Sequence, residues 1–180
     1  LGSAAALDAI GRWCDGARTV VVIGPLWLAE VLSGRVRVLL LVEPEERPRA
    51  RRAARRMAGA AHRFTVALAG VDLPLVPRSV DALLVESAAT LDAEARARWF
   101  STLVQVIRPG GRLIAVDATP DVAVEARLAG LFLACALTEI VQERPRQGVL
   151  LTVGVAPPAS ISATRFRAVG SIGYPGTERD

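Results

Sequence analysis

Apolar residues in this chain recur as short unbroken runs, each followed by a stretch in which they return at helical spacing. The first run, Thr19–Ile23 (TVVVI), is β-branched and does not alternate. That is the pattern of a strand covered by helices on both faces. Gly24 ends it, Pro25 suits a first helical position, and Leu28, Val31 and Leu32 follow at helical spacing. Residues 36–42 (VRVLLLV) predict a second buried strand, closed by Glu43-Pro44, with a helix over 47–61 behind it. Phe64–Leu68 reads as a third strand and residues 80–85 (VDALLV) as a fourth. Asp92 then caps a helix to Ile107 with Trp99, Phe100, Leu103, Val104 and Ile107 on its apolar side. Arg108-Pro109-Gly110-Gly111 stops that helix, and 112–116 is a fifth strand ending at Asp117. Thr119 and Pro120 open a helix to about Ala134. Residues 137–143 and Val149–Val155, joined through Pro145 and Gly148, predict an antiparallel hairpin.

Alternation of strand and helix predicts an α/β domain over residues 1–157, with a mostly parallel sheet between helices. A short opening helix, Ala4–Trp13, leaves little room for a substrate lid. Residues 158–180 lack sustained periodicity and are expected to be a flexible or partner-dependent tail. Right-handed crossovers put the carboxyl ends of the parallel strands on one edge, where such folds bind ligands. Gly24, Glu43, Glu86 and Asp117 should lie there.

Composition narrows the chemistry. The chain has 180 residues, 52% of them hydrophobic, enough for one sizeable core. Its 22 basic residues are all arginine, which excludes Schiff-base chemistry by lysine. A net charge of +4 hints at an acidic partner without requiring one. Cys14 and Cys135 make neither a disulfide framework nor a zinc site, and a reducing cytoplasm is the expected setting. The first 13 residues lack the basic head of a secretory signal. The longest apolar run, 128–137, is about half the ~20 residues a membrane span needs. His62, the one histidine, precedes a predicted strand and reads as structural or exposed, so no metal site is expected.

Residues 103–117, LVQVIRPGGRLIAVD, resemble the helix, proline-glycine-glycine turn and fifth strand of the class I S-adenosylmethionine-dependent methyltransferases. Leu73-Pro74 followed by Ser79-Val80-Asp81 is similar to that family's entry into its fourth strand, and the final hairpin is similar to its antiparallel seventh strand. The resemblance spans about residues 19–157. It implies a Rossmann-like seven-stranded sheet in the order 3-2-1-4-5-7-6.

The resemblance also assigns a site. The family places an acid two positions before its first motif glycine and two more glycines at alternate positions after it. Here the four positions hold Val22, Gly24, Leu26 and Leu28, so one glycine remains. Leu26, Trp27 and Leu28 add bulk where the methionine half of S-adenosylmethionine would rest. Glu43 stands 19 positions after Gly24, where the family's acid binds ribose hydroxyls. The competing reading is a solvated acid that, with Glu45 and Glu46, favours the start of a helix. The acid near adenine aligns with Ala69, and Asp72 is close enough to replace it. S-adenosylmethionine would therefore be held through Gly24, Glu43 and Asp72, with no metal. Glu86 and Asp117, ending neighbouring strands, are candidates for a general base or for orienting an acceptor. Residues 86–90, ESAAT, lack the motif of amino-methylating nucleic-acid enzymes.

Arg47, Arg49, Arg51, Arg52, Arg55 and Arg56 form the other conspicuous feature. They read first as a solvated face, then as a contact for an acidic protein, and last for nucleic acid. Three functions follow. A methyltransferase-like scaffold or complex subunit with a protein partner or a second copy of itself is preferred. A divergent active methyltransferase and a nucleic-acid or acidic-partner binding module are the alternatives. A nicotinamide-dependent dehydrogenase fits less well, since Gly24-Pro25-Leu26 breaks the G-x-G spacing and a Tyr-Lys pair is impossible.

Overall fold

Strand β1 (Thr19–Ile23) sits in the middle of a seven-stranded sheet, paired in parallel with β2 (Arg37–Val42) on one side and β4 (Val80–Glu86) on the other. A computed structural model describes residues 4–42, 44–56, 64–68, 75–86, 93–118 and 122–158. The sheet continues outward through β3 (Phe64–Leu68) beside β2, and through β5 (Ile107–Ala118) beside β4. Beyond β5 lie β7 (Val149–Val155) and β6 (Thr138–Arg146), both pairings antiparallel. The order is β3-β2-β1-β4-β5-β7-β6, as the resemblance implies. Helices α1 (Ala4–Trp13), α2 (Leu26–Ser33), α3 (Arg47–Arg56), α4 (Ala93–Val106) and α5 (Val122–Ala134) flank it.

Both faces of the central strands are buried, which explains why their sequences do not alternate. Val20, Val22, Leu40, Leu84 and Ile114 point to a core shared with Ile10 of α1 and Leu28 and Leu32 of α2. Val21, Leu41, Leu83, Val85 and Leu113 point to the other, filled by Phe100 and Leu103 of α4 and Leu128 and Phe132 of α5. The Phe100 and Phe132 rings lie 5.7 Å apart at 51°.

Three local expectations are corrected. Pro25 is the N-cap of α2, extended at φ −70° and ψ 145°, and the helix begins at Leu26. Helix α4 ends at Val106, and Arg108-Pro109-Gly110-Gly111 belongs to β5 instead of separating helix from strand. The cause is tertiary: the Gly110 N–H donates to the Ala156 carbonyl and the Ala156 N–H to the Gly111 carbonyl, 2.9 and 2.8 Å, extending the ladder from β7. Gly110 adopts φ +76°, and a Cβ on Gly111 would fall 2.8 Å from the Asp81 carbonyl oxygen, so both positions require glycine. Strand β6 continues to Arg146, past Pro145, because an edge strand has one free side on which a missing N–H costs nothing. The expected continuation of α3 over 57–61 and residues 159–180 of the expected tail lie outside the described residues.

Asp81 locks the entry to the sheet. Its Oδ2 accepts hydrogen bonds from the N–H groups of Arg18 (2.9 Å) and Thr19 (2.7 Å), and its Oδ1 lies 2.6 Å from Arg108 Nε. One carboxylate thereby fixes the starts of β1, β4 and β5 relative to one another.

Strand β6 is irregular. Glu139 takes φ +50°, and its pairing with β7 shifts between Thr138 and Val141 and again between Glu143 and Arg146. Most of its residues are exposed or half-buried.

Candidate active site

Parallel registry assembles the carboxyl edge. Ile23 is level with Val85, and Glu86 with Val116, so Gly24, Glu86 and Asp117 follow at the ends of three adjacent strands. Sequence reasoning placed each residue at this edge; registry brings them together. A Cβ on Gly24 would lie 3.1 Å from Glu86 Cβ and 3.8 Å from Glu86 Oε2. The glycine is favoured here by close approach and not by backbone conformation, because Gly24 does not adopt a positive φ.

Glu86 is half-buried, and desolvation pushes its carboxyl above the usual carboxylate range, with the Asp117 carboxylate acting in the same direction. Asp117 is 1% exposed; it lies one residue beyond the last β4–β5 pair, Glu86 with Val116, and pairs with Leu150 of β7. A carboxyl whose pKa is raised by burial, in reach of solvent, can accept or hold a proton closer to neutrality than an ordinary glutamate.

The turn after β1 is apolar. Leu28 is 1% exposed and belongs to the core beneath the helix, and Leu26 and Trp27 pack in part against the same cluster. Val22 is fully buried in that cluster and offers no side-chain polar atom.

No family model matches the sequence, and no curated protein matches it. Solved structures do. The chain is similar to an O-methyltransferase family protein from Burkholderia thailandensis, with 15% identity and a TM-score of 0.71 over 86% of this chain and 56% of that one. It is similar to the cyclase SpnF, with 12% identity and a TM-score of 0.72 over 85% and 81%. A third match, at 18% identity and a TM-score of 0.62 over 78% and 83%, is to a complex with the Haloferax volcanii Trm112 methyltransferase activator. This is the class I S-adenosylmethionine-dependent methyltransferase fold.

Several of the methyltransferases matched are longer, the match spanning 50 to 56% of their length. The cyclase shows that a methyltransferase-like framework carries more than one chemistry, so function has to be argued from the site. Of the residues that the methyltransferase resemblance assigns to the cofactor, Gly24 is at the expected edge, while Glu43 and Asp72 lie outside the described residues, as do Ala69 and His62. Among the described residues no group of three or more His, Cys, Asp or Glu side chains could hold a metal ion. No described helix is long and apolar enough to cross a membrane.

Sequence reasoning missed two things. Asp81 was visible only as part of a loop motif, although an acid near the start of an otherwise apolar strand was a usable signal. The contact between Gly24 and Glu86 had no sequence signal, because it depends on the registry of strands far apart in the chain. The apolar residues 26–28 are buried or half-buried and present no exposed apolar surface. A cavity of about 470 Å³ opens at the opposite edge, between α4 and α5, lined by Val104, Ile107, Leu131 and Cys135.

Proposed function

We propose that this protein keeps the methyltransferase framework but not its ordinary cofactor chemistry, and serves as a non-catalytic scaffold or regulatory subunit of a complex. The carrying observation is the packing of the turn after β1. Leu26 and Leu28 occupy positions where glycines would leave bare backbone for the methionine half of S-adenosylmethionine; Leu28 is buried in the core beneath α2 and Leu26 is half-buried against it. The Glu86 side chain lies close beside the one remaining motif glycine, Gly24. The described residues therefore fit that end of the cofactor poorly. The similarity to a complex with a methyltransferase activator supports a protein partner. The two free thiols, Cys14 and Cys135, agree with a reducing cytoplasmic setting.

Isothermal calorimetry with S-adenosylmethionine and S-adenosylhomocysteine tests the proposal, run beside thermal unfolding in the same ligands. The expected result is no heat and no stabilisation at millimolar ligand. A ligand at about 100 times its Kd would add about 2.7 kcal/mol, so a silent melt is informative.

The position of Glu86 favours a second reading, a divergent active methyltransferase. Its carboxylate beside Gly24 could receive the cofactor's ammonium group in place of the acid missing at Val22, or take a proton from the acceptor, with Asp117 close by and Glu43 and Asp72 on the adenosine. Micromolar binding that weakens about tenfold or more in Glu86→Gln would establish this reading and overturn the first.

A further inference from the structure

Helix α3 holds more positive charge than the whole protein. Its ten residues, RPRARRAARR, carry six arginines and no acid, whereas the chain's net charge is +4. Everything outside α3 therefore sums to a net charge of −2. The helix lies beside β3, at the edge of the sheet, with Ala50 and Ala53 buried at 2% and 1% exposure and Ala54 half-buried. Arg49, Arg51, Arg52, Arg55 and Arg56 are exposed, and among the described residues none of the six arginines pairs with a carboxylate.

This arrangement opposes the stability of the isolated helix. Arg47 and Arg51, Arg51 and Arg55, and Arg52 and Arg56 are like charges four residues apart, where repulsion disfavours the helix. Arg55 and Arg56 are favoured at the carboxyl end, but Arg51 and Arg52 in the middle gain nothing from the helix dipole. Glu45 and Glu46 precede α3 and can offset only the charges nearest its first turn. An anionic partner along the outer face would relieve this repulsion.

At 3.6 residues per turn the five exposed arginines fan over about 160° of the face opposite Ala50 and Ala53. They form two ridges, Arg51 and Arg55 on one flank and Arg49, Arg52 and Arg56 on the other. An acidic helix or strand of a protein partner would meet one ridge and leave the other unsatisfied. Two flanking ridges fit a channel with an anionic wall on each side, as in a duplex groove. A helix about 10 to 12 Å across enters the major groove of B-form DNA, about 12 Å wide, whereas that of A-form RNA is too narrow. The helix carries no aromatic residue for stacking on single strands and no Asn or Gln for pairing with adenine. We propose that α3 binds the phosphate backbone of double-stranded DNA, independently of sequence. The proposal does not rest on the state of the cofactor site.

The test is fluorescence anisotropy of a labelled mixed-sequence duplex of about 20 base pairs with the full chain, across a salt series. Five phosphate contacts predict a slope of log affinity against log salt of about −4.5, and an affinity loss of about 500-fold from 50 to 200 mM salt. Arg51→Gln with Arg55→Gln should reduce the slope by about 2, and Arg49→Gln, Arg52→Gln and Arg56→Gln together by about 3. Glutamine matches arginine in helix propensity and removes the repulsion, so the melting temperature should hold or rise. A second duplex of unrelated sequence should bind equally. The proposal is overturned by no binding at low salt, by binding unchanged when all five arginines are glutamine, or by tighter binding to polyglutamate or single-stranded RNA than to the duplex.

Discussion

Glu86 Cβ stands 3.1 Å from the point that a Cβ on Gly24 would occupy, so the two strand ends meet more tightly than ordinary side-chain contact and a side chain on the first would press on the second. The consequence is steric and testable. Gly24→Val should destabilise the fold by about 1 to 3 kcal/mol, the usual range for overpacking a well-packed region. In a Glu86→Gly background the penalty should shrink, with a coupling of at least about 0.5 kcal/mol in a double-mutant cycle from urea melts. Equal penalties in both backgrounds would show that contact with Glu86 is not what excludes a side chain at position 24.

Asp81 and Arg108 should differ sharply in effect, although they are partners 2.6 Å apart. The Asp81 side chain is 9% exposed and accepts two backbone N–H groups besides the guanidinium, whereas the Arg108 side chain is 50% exposed. Asp81→Ala should cost about 3 kcal/mol, since it leaves the Arg18 and Thr19 donors without their acceptor. Arg108→Ala should cost under about 1 kcal/mol, as for other solvent-screened ion pairs. Thermal unfolding would separate them, at about 2 to 4 °C per kcal/mol for a chain of this size.

Burial raises the Glu86 carboxyl in the folded protein above its ordinary value of 4.5, with Asp117 adding to the shift. The folded state consequently holds this proton to higher pH than the unfolded chain does. Stability from Glu86 is greatest below the ordinary carboxylate range and declines as pH rises through and above it. Glu86→Gln should flatten that decline and be more stable than wild type at neutral pH. Chemical denaturation from pH 4 to 8 measures it. A wild-type curve that rises relative to Glu86→Gln over this interval would contradict the burial argument.

Cys14 and Cys135 should react in order. Cys14 is buried, and desolvation pushes its thiol up to about 12; Cys135 is half-buried and shifted in the same direction. Thiolate is the reactive form, so maleimide at mildly alkaline pH should label Cys135 first and Cys14 only as the protein unfolds. Mass spectrometry of a labelling time course would show it, and equal rates at the two sites would refute it.

The strands were legible because their chemistry is local. Thr19–Ile23, Phe64–Leu68 and Val149–Val155 form where continuous β-branched or apolar residues predict them. Arg108-Pro109-Gly110-Gly111 was misread because proline and glycines punctuate most sequences, and only pairing of Gly110 and Gly111 with Ala156 makes them strand. Pro145 misled in the same way, its penalty vanishing at an edge. For the candidate site, strand ends placed Gly24, Glu86 and Asp117 on one edge. The approach of Glu86 to Gly24 was hidden because it depends on which strands are neighbours and in what register. Bulky Leu26 and Leu28 in a ligand turn were visible as a departure from the family pattern. That Leu28 points wholly into the core follows from the helix phase and became clear only with the fold.

The irregular edge formed by β6 bears on how this molecule can assemble. An outermost strand normally invites another strand to add on, from a second copy or from a misfolded neighbour. Here Glu139 bends the backbone out of line, Pro145 lacks a donor, and Glu143, Arg144 and Arg146 bring charge to the rim. Each feature interrupts the run of free N–H and C=O groups that an incoming strand would need. These features oppose growth of the sheet into a shared dimer or a fibril at β6, which leaves β3 as the other edge at which strands could meet.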